Sequence, residues 1–460
     1  MFLEVFAILL ALGLLMLFAY RGFPVIVFAP IFTLLAVVIS GKALLPSYTE
    51  VYMTNAASYI KTYFPVFLLG AIFGKAMELS GAASSIAHAI VRSLGSKRAM
   101  LAVVLACAVL TYGGVSLFVV AFAVYPFAAA IFREGNIPKR LIPGTIALGA
   151  FTFTMDALPG TPQIQNIIPT AYFGTDAYAA PVVGIIGGAL IFAAGLYWLE
   201  RRRKQAELAG EGYGDNHKNE PEAAEETNYP KLWLALLPLA LVLVLNFLLS
   251  RGALTVTTWY DEELLQSFNI ANVKSVSSIW ALIIALTVGV IAALCINVRQ
   301  VKGKLAAGLT AGAMGALLAI FNTASEVGFG NVVKTLPGFQ AIQNGIHSMN
   351  GAPLLSEAVS VNLLAGITGS ASGGLSIALE VMSKTYLDAA NAMGISPELL
   401  HRIASMASGG MDTLPHNGAV ITLLAITGLT HRQSYKDIFA ITIIKTVVVF
   451  ALAAVLTVIV

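Results

Sequence analysis

Long apolar runs separated by short polar turns make up most of the chain. A run of about 20 apolar residues is long enough to cross the hydrocarbon layer of a membrane as a helix. Uninterrupted runs predict spans at residues 2–20, 23–39, 63–79, 180–197, 232–249, 276–296, 305–321 and 438–460. Four longer apolar stretches, at 100–132, 141–172, 354–386 and 399–429, contain breaks rich in Gly, Ser or Pro. The pattern therefore predicts an all-α polytopic membrane protein.

One polar segment divides the chain into two halves. It opens with the basic run at residues 201–204 and continues to Pro230 without apolar periodicity. Such a composition does not support a packed core. We interpret residues 201–230 as a cytoplasmic linker between a first half, residues 1–200, and a second half, residues 231–460.

The basic residues indicate the orientation of the chain. Glu4 stands where a signal peptide would be basic, and Arg21 follows the first run, which predicts a retained helix with its N-terminus outside. If the stretches 100–132 and 354–386 each enter and leave on the same side, most Lys and Arg residues lie inside, as the positive-inside tendency requires. Both stretches are therefore predicted to be re-entrant hairpins.

Short strings recur in the second half in the same order. The sequence AIF at 71–73 recurs at 319–321, GGVS at 113–116 recurs as GGLS at 373–376, and MDALP at 155–159 recurs as MDTLP at 411–415. The predicted topology gives the matching spans opposite directions, so the halves are predicted to be inverted repeats. Inverted repeats are typical of secondary transporters, whose substrate sites lie near the membrane midplane where broken helices meet.

The two hairpin tips are candidate substrate sites. Backbone groups cannot remain unpaired against lipid, so polar glycine-rich tips must line protein or water, where free N–H groups and hydroxyls can bind a carboxylate. The alternative is that these small residues only let two helices pack closely. The candidate residues at the tips are Thr111, Gly113, Gly114, Ser116, Ser370, Ser372, Gly373, Gly374 and Ser376.

The other two breaks, residues 156–166 (the first break) and 412–418 (the second break), each begin with an aspartate. Carboxylates deep in a membrane are costly and usually functional, so Asp156 and Asp412 are the candidate coupling-ion residues. The alternative is that each aspartate caps the half-helix that follows it. The breaks also supply candidate substrate ligands, namely Thr161, Gln163, Asn166, His416 and Asn417. His416 can equally be a neutral structural histidine.

Two further features recur in both halves. Glu78 and Glu326 form a second duplicated carboxylate pair near span ends, for which we favour a snorkelling or capping role. Residues 81–96 predict an amphipathic connector on the inner surface. Its counterpart at residues 339–349, which includes His347, is predicted to lie outside.

Composition and missing motifs exclude several functions. With 58% hydrophobic and 11% charged residues, the chain is unlike soluble proteins, and a net charge of +3 does not indicate a nucleic-acid partner. The two cysteines predict neither a disulfide framework nor a metal site. The chain contains no GxxxxGK[ST], HExxH or GxSxG sequence. We therefore expect a gradient-driven transporter with no cofactor and no metal rather than an enzyme.

Four segments carry a family resemblance. They are FPVFLLGAIFG at 64–74, LTYGGVSLFVVAFAVY at 110–125, FTFTMDALPGTPQIQNIIPT at 151–170 and SGGMDTLPHNGAVITLLAITGLTHRQSYKD at 408–437. Over its whole length the chain resembles the gluconate permease (GntP) family of the ion-transporter superfamily. The resemblance implies cation-coupled uptake of small organic anions across the cytoplasmic (inner) membrane of a bacterium. It also implies an inverted-repeat fold with re-entrant hairpins, a homodimer and elevator motion.

The second break indicates the branch of the family. Gluconate permeases proper end this break with His-x-Asn-Asp, whereas residues 415–418 read PHNG, which is more similar to the branch for 3-hydroxybutyrate and related short hydroxy acids. We expect proton-coupled symport of a small hydroxy-monocarboxylate, held between the two tips, with Asp156 or Asp412 carrying the proton. The alternatives are a gluconate, sugar-acid or citrate-type symporter, sodium coupling, an ion channel or exchanger, and an intramembrane enzyme.

Overall fold

The computed structural model describes residues 2–459, apart from residues 22, 216, 222–228, 269, 271–272, 340–351 and 416. The described chain consists of helices and turns, without a strand. Its longer helices are Phe2–Tyr20, Val25–Ile39, Thr54–Leu79, Ala82–Leu94, Ala99–Tyr112, Leu117–Glu134, Ile142–Ala150, Ile164–Phe173, Pro181–Leu208, Leu232–Ser250, Lys274–Ile296, Leu305–Thr335, Pro353–Thr368, Ala371–Ala392, Pro397–Ser408, Gly418–Thr427 and His431–Ile459.

Several of these helices fit a membrane. Within the described residues, six are long and apolar enough to cross one, and a bent pair, Ala82–Leu94 and Ser96–Tyr112, would make a seventh. Large apolar side chains on the outside, such as Val182, Ile185 and Val447, are exposed. An exposed apolar surface of this extent would be unfavourable in water but suits lipid. The prediction of an all-helical, multi-pass membrane protein is confirmed.

Both glycine-rich tips separate two helices that pack against each other. The first hairpin, residues 99–134, turns at residues 113–116, where Gly114 has φ +97°. The second hairpin, residues 353–392, turns at Gly369, which has φ +65°. A positive φ costs glycine little because it has no Cβ atom. Ser370 then caps the next helix, its Oγ accepting a bond from the Gly373 N–H at 3.1 Å.

The two breaks are confirmed, with altered bounds. The first break covers residues 151–163 and contains the short Phe153–Asp156 helix, so Asn166 lies in the helix that follows the break. The second break covers residues 409–417 and contains the Met411–Thr413 turn. Proline interrupts the helical hydrogen bonds in both.

Three spans are longer than the apolar runs predict. Thr54–Leu79 begins before residue 63, Leu305–Thr335 continues past residue 321, and Pro181–Leu208 continues past residue 197 into the predicted linker. The last of these extensions is supported by ion pairs along its own helix. Arg203, for example, bonds Glu200 at 2.8 Å and Glu207 at 3.2 Å along the same helix.

The segment after Leu208 is docked on the helices. Arg140 donates two hydrogen bonds to the Glu211 carboxylate, at 2.6 and 2.7 Å, and the Lys139 ammonium lies 2.7 Å from Glu220. The Tyr125 hydroxyl donates to the backbone oxygen of Asn219 at 2.7 Å. The described part of the linker is therefore bound in place, although its sequence predicts no packed structure.

Acid should loosen this docking. The hydrogen bonds from Arg140 lower the pKa of Glu211, so the carboxylate stabilises the docked linker above its ordinary pKa of about 4, and this contribution is lost as the pH falls through the lowered value. A spin label at Asp215→Cys, with Cys295→Ser, should become more mobile in acid and show no change toward neutral pH. In Glu211→Gln the label should be mobile at every pH. Equal mobility of wild type and Glu211→Gln at neutral pH would contradict this role.

Helices of each half pack on helices of the other half. Thr54–Leu79 packs along Leu305–Thr335, Lys274–Ile296 packs on Thr54–Leu79, and Val25–Ile39 packs on Leu305–Thr335. The amphipathic connector forms the helix Ala82–Leu94, with one face buried against the first hairpin. Its predicted counterpart at 339–349, with His347, lies outside the described residues except for Phe339.

Candidate functional site

A buried polar centre forms where the two breaks meet. Asp156 of the first break lies so close to Gly409 of the second that a methyl group added there would overlap the carboxylate. The final helix, His431–Ile459, brings Lys445 to the same point, and its Nζ lies 3.3 Å from Asp156 Oδ2. The Lys445 ammonium also donates to the backbone oxygen of Phe151 at 2.8 Å. Acid and base thus lie together deep inside the protein.

Asp156 and Lys445 are both buried, so each charge depends on a compensating partner. The side chains of Asp156 and Lys445 are 0% and 1% exposed. Removing one charge from water costs several kcal/mol, which is tolerable only when an opposite charge or a proton compensates it. Asp156 does not cap the helix Ile164–Phe173, which starts eight residues later and has Gln163 at its N-cap position. The capping interpretation of Asp156 is wrong.

The elements that meet at the pair carry further polar groups. Asn362, from the first arm of the second hairpin, donates to the backbone oxygen of Ala407 at 3.2 Å and lies against Gly410. The hydroxyls of Thr413 and Thr442 bond each other. The centre therefore combines both breaks, the second hairpin and the final helix.

A buried arginine holds the first break in shape. Arg402 is fully buried, and its guanidinium donates to the Asn166 Oδ1 at 2.9 Å and to the backbone oxygens of Ala179, Ala177 and Asp156 at 2.8, 3.3 and 3.4 Å. The neighbouring His401 contacts the same Asn166 Oδ1 at 3.3 Å. Because these contacts use the donors of the guanidinium, Arg402 acts as a brace between Asp156 in the first break and the residues that follow the break.

The first tip is bonded to the first break. Gln163 Nε2 donates to the backbone oxygens of Thr111 at 2.8 Å and Val115 at 3.3 Å. Pro162 packs so closely on Gly114 that a methyl group there would press on its ring. In the described part of the chain, the buried hydroxyls of Thr111 and Thr161 have no hydrogen-bond partner. These two oxygens remain available to a ligand.

The second tip is bonded to the second break in the same manner. Asn417 Nδ2 donates to the backbone oxygen of Gly369 at 2.8 Å, and its Oδ1 accepts the N–H groups of Ala419 and Val420 at 2.7 and 3.2 Å. Asn417 thus caps the helix after the second break. At each tip, one amide side chain of a break donates to a backbone oxygen of a hairpin.

The serines of the second tip are partly engaged. Ser370 Oγ lies 3.4 Å from Ser372 Oγ, which lies 3.5 Å from Thr323 Oγ1. Ser376 donates to the Tyr59 hydroxyl at 3.3 Å. Gly374 crosses the other hairpin arm at Ala365 with no space for a side chain. At this tip, Gly374 therefore allows close packing of the two helices, while the serines provide polar groups.

For the other predicted site residues, the structure gives fewer contacts or none. Gly113 packs against Leu239, and Ser116 begins the second arm of the first hairpin. Asp412 lies in the Met411–Thr413 turn, with its side chain outside the described part, and His416 lies outside the described residues altogether.

Sequence reasoning missed several residues of the centre. Lys445 stood inside an apolar run, which was a signal, but a lone lysine there is equally an interfacial anchor. His401 and Arg402 lie on the helix Pro397–Ser408, which has one polar face. Such a pattern predicts a helix at the protein surface, but both residues are buried. Asn362 gave no signal, since one amide in a long apolar stretch is common at helix contacts.

Comparison with known proteins extends these observations. The family model for GntP family permeases matches residues 6–459. A protein of Bacillus subtilis designated as the uncharacterized transporter YxjC is 55% identical over 467 aligned positions, which cover 98% of each chain.

Two solved structures share the fold. The crystal structure of the YdaH transporter of Alcanivorax borkumensis aligns with a TM-score of 0.56 and 16% identity, over 90% of this chain and 89% of that chain. MtrF of Neisseria gonorrhoeae, described with a class of antimetabolite efflux pumps, aligns with a TM-score of 0.57 and 14% identity, over 90% and 85%. Identities this low show a shared architecture and carry no statement about substrate.

Proposed function

This chain belongs to the GntP permease family, and from that premise we propose that it is a secondary active transporter that takes up a small hydroxy-monocarboxylate, such as 3-hydroxybutyrate, together with a proton. The family and the relatives are transporters and permeases, so the chain is not an enzyme. The observation that carries the proposal is the buried Asp156–Lys445 pair at the crossing of the two breaks.

The pair offers a simple coupling scheme. Lys445 balances the Asp156 carboxylate while the site is empty of substrate. When the carboxylate of the substrate approaches Lys445 instead, Asp156 loses its counter-charge and takes up a proton from water. One anion and one proton then enter together, so the buried charge stays balanced. The scheme suits a monocarboxylate because it compensates one negative charge, and Asp412, its duplicate in the second break, is the alternative carrier.

The tips supply the remaining contacts in this proposal. Hydroxyls at Thr111, Thr161 and Ser372 suit the hydroxyl and carboxylate oxygens of a short hydroxy acid, together with N–H groups at the first turns of the hairpin helices. Sodium coupling is the rival that a specific observation favours. The unpartnered Thr111 and Thr161 hydroxyl oxygens are ligands of the kind that sodium prefers.

An elevator motion between inverted repeats is part of the proposal. The hairpins and breaks would form the moving body, and the spans Val25–Ile39, Thr54–Leu79, Lys274–Ile296 and Leu305–Thr335 the scaffold. The reciprocal packing of these four spans supports the pseudo-symmetry. We place the protein as a homodimer in the bacterial inner membrane, with the N-terminus outside and the linker in the cytoplasm.

Uptake into proteoliposomes tests the function. An inward proton gradient should drive accumulation of labelled 3-hydroxybutyrate, and unlabelled 3-hydroxybutyrate should compete better than gluconate or citrate. Accumulation that follows a sodium gradient at fixed pH would replace the proton with sodium. Indifference to both gradients would contradict coupled transport, single-channel currents would indicate a channel, and better competition by gluconate would overturn the substrate assignment.

A further inference from the structure

The duplicated glutamates have different environments. Glu78 is partly exposed and pairs with Lys75 at 2.7 Å on the same helix. Glu326, its counterpart, is 1% exposed. Among the described residues, its Oε2 has no hydrogen-bond partner and no Lys or Arg forms a salt bridge with it. The snorkelling interpretation therefore fits Glu78 and is wrong for Glu326.

Glu326 lies at the contact between a span and the second hairpin. It belongs to Leu305–Thr335, and its carboxyl group lies so close to Gly373, in the first turn of Ala371–Ala392, that a methyl group there would overlap it. The Gly373 N–H is already bonded to Ser370 Oγ at 3.1 Å. Glu326 therefore does not cap this turn through Gly373.

Among the described residues, the elements around Glu326 provide no counter-charge. The ionisable groups that face Glu326 are the phenols of Tyr52 and Tyr59, from the segment 47–79. Lys334, on the same helix, donates to the backbone oxygen of Glu380 at 3.0 Å. Val25–Ile39, which also packs on this helix, has no ionisable side chain.

From this contact we infer that Glu326 is a proton-binding site of the transport cycle, additional to Asp156, whose occupancy depends on the docking of the second hairpin. A carboxylate without cation or donor is too costly to bury, so the docked carboxyl carries a proton. When the hairpin leaves the Leu305–Thr335 helix, water reaches the group. The O–H bond then breaks, the proton passes to water, and the carboxylate remains hydrated. This inference rests on the proposed proton coupling.

Transport measurements separate this role from a structural one. In proteoliposomes, Glu326→Gln should retain substrate counterflow within about twofold of wild type, while its accumulation responds less steeply to the pH gradient than that of wild type, because only the Asp156 proton remains coupled. Glu78→Gln, the matched substitution at the partly exposed counterpart, should behave as wild type, and Glu326→Asp should restore part of the response. A wild-type pH response in Glu326→Gln would overturn the inference, and so would loss of counterflow in that variant with normal folding.

A spectroscopic test needs no substrate and is independent of the proposed function. Wild type at neutral pH should show the infrared band of a protonated carboxyl group that is missing from Glu326→Gln. The spectrum of Glu326→Gln must be subtracted from that of wild type, because Glu357 can contribute a band of the same kind. Glu357 is also fully buried, with no partner for its oxygens in the described chain. If Glu326→Gln does not fold, a shift of the band in Glu326→Asp gives the assignment. A difference spectrum without the band would overturn the inference even if proton-coupled uptake is observed. If the band is present but the protein shows no uptake, only the proposed function is contradicted.

Discussion

Replacement of Asp156 by asparagine should abolish proton-driven accumulation and destabilise the protein by about 3 kcal/mol. The loss of stability is expected because the substitution removes the carboxylate that lies 3.3 Å from the Lys445 ammonium, while the ammonium stays buried. The loss of accumulation is expected because an amide cannot take up the coupling proton. Proteoliposome uptake under a pH gradient and thermal unfolding of the purified protein measure the two effects.

The double variant Asp156→Asn/Lys445→Met separates the two consequences. Removing both charges should recover much of the lost stability, since the lysine charge is then removed together with that of its partner, but it should not recover proton-driven accumulation. Uphill uptake by Asp156→Asn at the wild-type level would exclude Asp156 as the coupling residue. Asp412 would then be the remaining candidate of the duplicated pair.

Substitution of Arg402 should cause the second large effect, mainly on folding. In Arg402→Met, the backbone oxygen of Ala179 loses both of its bonds from the guanidinium, and a buried group left unbonded costs about 1–3 kcal/mol. Asn166 Oδ1 also loses its bond at 2.9 Å. Arg402→Lys should rescue little, because one ammonium cannot reproduce the planar fork of donors. Thermal unfolding and the folded fraction after purification measure the loss.

A surface arginine provides the control for this prediction. Arg203 makes its ion pairs on an accessible helix surface, so Arg203→Lys should change stability by no more than about 0.5 kcal/mol. If Arg402→Met unfolded at the wild-type temperature, the contacts of the guanidinium would not support the first break.

Much of the fold is local and could be predicted from the sequence. The hairpin turns at residues 113–116 and at Gly369 follow from glycine, and the two breaks follow from proline. Span ends were predicted less well. Thr54–Leu79, Leu305–Thr335 and Pro181–Leu208 continue as helices through polar residues at which the apolar runs had ended.

Only some residues of the candidate site could be predicted from the sequence. Asp156 was found because an aspartate at a broken helix is costly and duplicated. Its partner Lys445 was not, since the sequence does not show which distant helix reaches the break. The amide contacts from Gln163 and Asn417 to the two tips were also hidden, because they depend on how each break meets its hairpin.

The sequence by itself determined that this protein is a helical membrane transporter with two duplicated hairpins and breaks, because hydrophobic length and the backbone limits of Gly and Pro act within a few residues. Only the tertiary structure decided what the duplicated carboxylates do. Asp156 meets Lys445, Glu78 stays at an accessible surface, and Glu326 is sealed against Gly373. Glu78 and Glu326 differ because the cost of a charge depends on the water and counter-charges that the packed helices leave around it.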